Sequence, residues 1–178
     1  MSKIANRIIP IPQNVKINLG NGILYIEGPL GRSENLNLPL DLEVINQESN
    51  LLTKSVNSAL AGTYNALISN MIKGVVTGHE KTIEVKGVGY KVSLKDKFLE
   101  FSLGKSHLNN VAIPLELEVK VEGSKIIIKG KNKQQVNKFA ANDIRPLRRP
   151  SVYKKSKGIY YLGEEATIKL KAGKSLNK

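Results

Sequence analysis

The feature of this sequence that most limits its fold is an internal repeat. Three segments recur in the same order, at spacings of 75, 73 and 75 residues: 15–19 as 90–94, 30–33 as 103–106, and 38–44 as 113–119. The small change in spacing falls in loops, where a change of length costs little. Such self-similarity indicates a duplicated structural unit. We therefore predict two similar domains, residues 1–81 and 82–178.

Each repeat contains the alternating pattern of β-hairpins. Residues 15–19 and 23–27 alternate in polarity around an Asn-Gly pair, which accepts the positive φ of a tight turn. Three further hairpins follow from the same reasoning: 90–94 with 98–101 around Asp96 and Lys97, 42–45 with 51–53, and 117–121 with 125–129.

Each repeat then changes to helical periodicity. In the first, the predicted N-cap is Ser55 or Asn57, and Gly74 is the predicted stop. The apolar face of that helix is predicted to consist of Val56, Leu60, Tyr64, Leu67 and Met71. The second helix, after Asn132, is predicted to bury Val136, Phe139, Ala140 and Ile144, and Pro146 should end or kink it near Arg145. These elements predict an α+β fold, a tandem duplication of two similar domains, each with mostly antiparallel β-sheets packed around one α-helix.

The charge of the chain is concentrated in its second half. The net charge is +13, yet residues 1–80 contain six Lys/Arg and six Asp/Glu, whereas residues 81–178 contain twenty-two and nine. So large an excess is self-repulsive unless a polyanion neutralises it. We therefore predict a charge-neutral first domain and a basic second domain that binds RNA and ends in a basic tail.

The residues after the second helix form the densest basic segment. Residues 145–161 contain six cations and three tyrosines and no acid. Arginine forks and lysines bind phosphates, and tyrosines stack on bases or sugars, so this pattern favours RNA contact over a solvated basic loop. The tail cations Lys169, Lys171 and Lys174 lack aromatic neighbours, so a phosphate-binding tail and a disordered end both stay open.

Two other features are ambiguous when read from the residues alone. Gly87 and Gly89 near the domain junction fit either a tight bend between strands or a close approach of the backbone to RNA. His107 has no neighbouring group in sequence that would make it a general base. A loop histidine held by hydrogen bonds and an RNA contact are the two readings that remain for it.

Several classes of function lack the residues they require. The sequence has no cysteine and two isolated histidines, so we predict neither a metal site nor a cofactor. The carboxylates alternate with apolar residues as on the solvent face of a strand, and Glu164 and Glu165 are expected to temper the basic segment. We predict no catalytic residues and no small-molecule substrate.

A role in the membrane is not expected either. No apolar run approaches the roughly 20 residues of a membrane span. Pro10 and Pro12 interrupt the region in which a signal peptide would develop its apolar segment. We therefore expect the protein to work where it is made, without a membrane partner.

The motifs of this chain together resemble those of a known family. They are residues 2–12, 28–31, 67–71, 87–91, 103–107, 148–159 and 171–174. In this order, and over essentially the full length, they resemble the bacterial-type large-subunit ribosomal protein six family. The resemblance implies two similar domains around one helix each and binding of large-subunit, 23S-type rRNA near the sarcin–ricin loop and the factor-binding stalk base. It also implies neighbouring large-subunit proteins as partners, in the ribosome of a bacterial cytoplasm or of an organelle.

The resemblance and the charge pattern together define a candidate RNA-binding set. Its members are Gly87, Gly89, Tyr90, Lys91, Ser106, His107, Arg145, Arg148, Arg149, Tyr153, Lys154, Lys155 and Lys157, with the tail residues Lys169, Lys171 and Lys174. A free RNA-binding module, such as an RNA chaperone or regulator, would explain the charge but not the full-length resemblance. A basic enzyme acting on RNA would need a catalytic group that the sequence does not offer.

Overall fold

A computed structural model describes residues 7–47, 50–153, 156–169 and 171. The chain divides into two compact units, Met1–His79 with Lys131–Lys133, and Glu80–Gly130 with Gln134–Lys178. The sequence-based proposal places the boundary two residues further along, after residue 81.

The first unit contains two antiparallel sheets and one long helix. Its elements are β1 (Ile9–Pro10), β2 (Lys16–Gly20), β3 (Ile23–Gly28), β4 (Gly31–Arg32), β5 (Leu36–Asn37), β6 (Leu42–Gln47), β7 (Asn50–Ser55) and α1 (Ser58–Val76). One sheet has the order β1-β7-β6; the other has the order β2-β3-β4, with β5 also paired to β3. Leu24, Ile26, Leu51 and Ile68 are fully buried in the core of this unit. Each such apolar side chain contributes about 1.5–3 kcal/mol through removal from water.

The second unit repeats this arrangement and adds an edge strand. Its elements are β8 (His79–Lys86), β9 (Lys91–Lys95), β10 (Phe98–Ser102), β11 (Asn109–Ala112), β12 (Leu117–Glu122), β13 (Lys125–Gly130), α2 (Lys133–Lys138), a π-helical turn (Phe139–Ile144), a 3-10 turn (Arg145–Arg148), β14 (Gly158–Tyr161) and a second 3-10 turn (Glu164–Ala166). Its sheets have the orders β11-β10-β9 and β12-β13-β8-β14. Their core contains Ile83, Leu99, Phe101, Ile126 and Ile159.

The predicted fold class is confirmed. Strands β2, β6 and β7 and helix α1 begin at residues 16, 42, 50 and 58, and their counterparts β9, β12, β13 and α2 begin 75 residues later, at 91, 117, 125 and 133. The four predicted hairpins are present as β2–β3, β9–β10, β6–β7 and β12–β13. Asn21 and Asp96 have φ of 48° and 44°, so both short turns adopt the left-handed backbone that their residue types accept. Strand β14 extends the sheet of the second unit beside β8, in antiparallel register.

The predicted apolar face of the first helix is correct only in part, and its predicted stop is wrong: Tyr64 and Met71 pack against the core, but the fully buried face is a different one. The helix begins at Ser58, capped by Asn57, whose side-chain oxygen accepts the N–H of Ala59 at 3.0 Å, and Val56 precedes it fully exposed. The face that is buried carries Ala61, Asn65, Ile68, Ile72 and Val75. Asn65 is tolerated there because its amide donates to the carbonyl of Arg7 (2.7 Å) and to Thr53 Oγ1 (3.3 Å).

The end of the first helix also differs from the prediction. Gly74 lies inside the helix, which continues to Val76. The N–H groups of Thr77 and Gly78 both donate to the carbonyl of Lys73, at 2.9 and 3.2 Å. Gly78 has φ of 75°, so this glycine, four residues further on, supplies the left-handed residue that ends many helices.

The second helix changes its path near Arg145, as Pro146 predicts. The α-helical part ends at Lys138, the chain continues as a π-helical turn to Ile144, and Arg145–Arg148 forms a 3-10 turn. The N–H of Arg145 donates to the carbonyl of Ala140, five residues earlier. Val136, Phe139, Ala140 and Ile144 are buried, which confirms the predicted face of this helix.

Candidate RNA interface

The side chain of Tyr90 brings together three segments of the second unit. In the sequence, only their charge and their resemblance to one family link these segments. The half-buried Tyr90 ring lies so close to Gly87 that a Cβ there would stand 2.4 Å from a ring carbon, and a Cβ at Gly104 would stand 3.3 Å from the ring. Its hydroxyl accepts a hydrogen bond from Nε of Arg148 at 3.1 Å. The Gly87–Tyr90 bend, the loop after β10 and the basic segment therefore meet at one side chain.

Close approach by Tyr90 explains why residue 87 is a glycine. Any other residue would place its Cβ 2.4–2.8 Å from three carbons of the tyrosine ring, so the ring would have to move. Gly89, by contrast, has φ of 76° and open space around its Cα. Both glycines therefore serve the bend between β8 and β9, which was one of the two readings open from the sequence.

The loop between β10 and β11 presents Ser106 and His107 to solvent. Both residues are exposed, and so is Lys91 at the start of β9, directly opposite Ser102. The loop begins after Leu103, which is buried in the core of the second unit and fixes the start of its path. Ser106 and His107 are thus accessible on a loop anchored beside Tyr90.

The arginines of the basic segment differ in their surroundings. Arg145 forms an ion pair with Glu164, and its guanidinium carbon lies 4.7 Å from the centre of the Tyr161 ring. Arg148 is held by Tyr90, while Arg149 is exposed at the point where the backbone becomes extended. Arg149 is therefore the arginine of this segment most accessible to a phosphate.

The chain beyond Arg149 is held mainly by its backbone. The N–H of Ser151 donates to the carbonyl of Lys157 at 2.9 Å, and the N–H of Lys157 donates to the hydroxyl of Tyr160 at 3.0 Å. Tyr153 is 66% exposed, so its ring is available for stacking. Lys169 and Lys171 are exposed, and the N–H of Lys171 donates to the carbonyl of Val152 at 2.8 Å. The predicted contacts Lys154, Lys155 and Lys174 lie outside the described residues.

Acidic side chains form ion pairs and hydrogen bonds with the basic segment, as predicted for Glu164 and Glu165. Glu164 also accepts the N–H of Tyr161 at 2.9 Å, and Glu165 accepts a hydrogen bond from Ser156 Oγ. Nζ of Lys86 lies 2.6 Å from Glu165 and 3.0 Å from Glu84. The hydrogen bond to Glu165, followed by that to Glu84, raises the pKa of Lys86 above its ordinary value.

The described part of the chain does not form a metal cluster or a membrane-spanning helix. Within 7–47, 50–153, 156–169 and 171, no group of three or more His, Asp or Glu side chains is placed to hold a metal ion. None of the helices formed by these residues is long and apolar enough to cross a membrane.

Comparison with known proteins identifies the family. The model of the family described as Ribosomal protein L6 matches residues 86–161, which hold the Tyr90 cluster and the whole basic segment, 145–161. Large ribosomal subunit protein uL6 of Mycoplasmoides gallisepticum is 42% identical, over 98% of this chain and 97% of the relative. Large ribosomal subunit protein uL6m of Reclinomonas americana is 44% identical over 98% and 99%, and the uL6 protein of Onion yellows phytoplasma is 40% identical over 100% and 98%. The chain belongs to the uL6 family.

Membership of the uL6 family confirms the resemblance noted in the sequence. uL6 proteins are named as components of the large ribosomal subunit, a structural rather than an enzymatic kind of protein. The relatives include bacterial proteins, and their names as proteins of the large ribosomal subunit fit the expected ribosomal location.

Sequence reasoning missed the residues that hold the uL6 basic segment in place. Lys86 and Glu165 are 79 positions apart, and Lys81, whose Nζ lies 4.5 Å from the centre of the Tyr161 ring, is 80 positions from that tyrosine. No local pattern connects such pairs. The one available signal was that Glu164 and Glu165 follow a segment without acids, which predicts compensation but not its partners.

Proposed function

We propose that this chain is a structural component of the large ribosomal subunit and binds the 23S-type rRNA mainly through its second repeat. The observation that carries the proposal is the convergence of the glycine bend, the Ser106–His107 loop and Arg148 on Tyr90. This cluster belongs to the half of the chain that holds the entire net charge. Family membership supports the same assignment.

The proposed binding is electrostatic and directed by the shape of folded RNA. Positive charge is supplied by the exposed Lys91 and Arg149 and by the half-buried Lys157. Contacts of such cations with phosphates position a protein on the RNA backbone. Double-helical RNA offers little sequence information to side chains, so shape and 2′-hydroxyl contacts dominate. Arg145 acts mainly by holding the chain through Glu164 and Tyr161 rather than by touching phosphate.

The proposed position is near the sarcin–ricin loop and the factor-binding stalk base, among neighbouring large-subunit proteins. This placement rests on the family resemblance. Directed hydroxyl-radical probing tests it: an iron chelate tethered at residue 106, through Ser106→Cys in this cysteine-free chain, should cleave rRNA in that region. Cleavage confined to distant rRNA helices would exclude the placement.

Retention on the ribosome tests the function as a whole. The full chain should remain with purified large subunits through a high-salt wash and should be depleted from the free pool. A chain that leaves the subunits at moderate salt, yet still binds isolated RNA, would be a free RNA-binding module instead.

A further inference from the structure

The solvent face of the sheet β11-β10-β9 carries an exposed aromatic ring. Along β10, Leu99 and Phe101 are fully buried, while Phe98 is 50% exposed. Side chains alternate between the two faces of a strand, so Phe98 points away from the core that Leu99 and Phe101 enter. About half of the Phe98 ring is therefore available to a partner on this face.

The neighbours of Phe98 on this face are small, polar or charged residues. Directly opposite residues of antiparallel strands share a face, and Phe98 lies opposite Lys95 on β9 and Ala112 on β11. Ser93 and Asn110 flank the next position, Glu100, on the same face. None of these neighbours is a further large apolar side chain.

Lysines outnumber carboxylates around Phe98: Lys91, Lys95 and Lys97 stand against Asp96 and Glu100. Lys95 pairs with Glu100 at 2.8 Å, an exposed contact of little net strength. Lys91 and Lys97 form no ion pair with any carboxylate in the described ranges. Lys97 precedes Phe98 in the turn, and Lys91 lies four residues before Lys95, about 13 Å along the strand.

The duplicated sheet of the first unit provides an internal comparison. Ile23 occupies the position of Phe98 there, 75 residues earlier. That sheet has its own aromatic residue, Tyr25, but the guanidinium carbon of Arg32 lies 3.7 Å from the centre of its ring. Among the described residues, no cation covers Phe98 in this way. The second repeat therefore presents an open ring where the first has a smaller residue.

We propose that this sheet face binds an unpaired nucleotide of the rRNA, with its base stacked on Phe98. Lys95 and Lys97 hold the phosphates on either side of the stacked base, and Lys91 holds the backbone further along β9. An exposed ring on a sheet flanked by cations suits a nucleobase, since every base has a π-face and carries a phosphate with it. The inference rests on the proposed rRNA binding and extends it along β9, from Lys91 beside Tyr90 to the ring of Phe98.

Stacking is tested by two substitutions at the ring in the full chain. Phe98→Leu keeps the position apolar but removes the π-face, while Phe98→Tyr keeps the ring. With protein-free large-subunit rRNA transcript as the probe, Phe98→Leu should weaken binding at least about fivefold and Phe98→Tyr should bind like the native protein. Ile23→Ala, at the equivalent position of the first repeat, is the matched control and should leave affinity unchanged. Equal thermal unfolding curves for the native protein and the Phe98→Leu variant show that the fold is intact.

The outcomes separate this inference from the proposed function. If Arg149→Gln weakens binding while Phe98→Leu binds like the native protein, the sheet site is wrong and the rRNA-binding function stands. If the native chain does not bind the transcript, the proposed function itself fails. In assembled subunits, a photo-cross-link from p-azidophenylalanine at residue 98 to another protein, instead of to rRNA, would overturn the inference in favour of a protein-docking surface.

Discussion

The geometry of Tyr90 favours a role in positioning Arg148 over direct stacking on RNA. Its ring is packed against Gly87 and Gly104, and its hydroxyl is occupied by Arg148. A tyrosine that stacked on a base would leave its ring face open instead. The two roles respond differently to loss of the hydroxyl alone, because stacking needs only the ring.

Tyr90→Phe should therefore weaken rRNA binding, because Arg148 loses the acceptor that orients it. Hydrogen bonds to charged groups contribute about 1.5–3 kcal/mol, and partial exposure places this one at the lower end. In a double-mutant cycle with Arg148→Gln, the two losses should be less than additive when affinity is measured by filter binding. Full additivity would show that Tyr90 acts independently of Arg148.

Lys86 links the acids Glu84 and Glu165, and its stabilising effect has a defined pH window. Because these carboxylates raise the pKa of Lys86 above its ordinary value of 10.5, the folded state holds the proton more tightly than the unfolded state. The stabilisation is complete below pH 10.5 and is lost as the pH rises through the higher folded-state pKa. The difference in unfolding free energy between the native protein and Lys86→Met should be constant from about pH 7 to 9 and should shrink above about 10.5. A difference that grows with alkaline pH would contradict this linkage.

Strand β14 places the last residues of the basic segment in the sheet, beside β8. Its first residue, Gly158, limits the path by which the chain enters the strand. Gly158 has φ of 138°, and a Cβ there would lie 2.7 Å from Cα of Pro150 and 2.8 Å from the carbonyl oxygen of Arg149. The segment that carries Arg149 therefore packs directly on the glycine. The geometry of the strand and the placement of the exposed arginine are coupled.

Gly158→Ala should lower both stability and RNA affinity. The strained backbone alone costs about 1–3 kcal/mol, and the clash adds to it by displacing the chain at Arg149. Gly163→Ala is the matched control, because Gly163 also has a positive φ, of 80°, but has open space around it. In chemical denaturation both variants should lose stability, and in rRNA binding only Gly158→Ala should lose affinity. Equal affinity of the two variants would separate β14 from the RNA-binding surface.

The helices and hairpins show what local sequence can and cannot predict. The hairpins followed from alternation and from turn residues such as Asn21, which are local properties. The face of α1 did not, because Asn65 is buried only through partners at Arg7 and Thr53, far away in sequence. Strand β14 was missed because its four residues follow a segment rich in proline and cations, and its pairing partner β8 is remote.

The candidate site was predictable in composition but not in arrangement. Charge and motifs identified the segments, and resemblance named their residues. The three arginines differ in their surroundings because Arg145 pairs with Glu164 and Arg148 with Tyr90, whereas Arg149 is exposed. These pairs form only in the folded chain. Local sequence therefore treats alike three arginines that the structure places in different surroundings.

The two repeats share a fold but differ in charge, which suggests that duplication was followed by specialisation. The first repeat balances its charges, whereas the second carries the excess. If binding depended on net charge alone, neutralising any two cations would have the same effect. If it depends on a defined surface of the second repeat, only cations on that surface should matter.

Two double substitutions of equal charge decide between these views in the full chain. Arg149→Gln with Lys157→Gln removes two cations of the basic segment, and Lys16→Gln with Lys54→Gln removes two exposed cations of the first repeat. Each phosphate contact contributes about 0.7–0.9 to the slope of log affinity against log salt concentration, depending on whether the RNA is single-stranded or helical. The first pair should therefore lower the slope by about 1.4–1.8, while the second leaves it unchanged. Equal changes for both pairs would mean that the neutral repeat contacts RNA as closely as the basic one, and the specialisation would have to be sought elsewhere than in RNA binding.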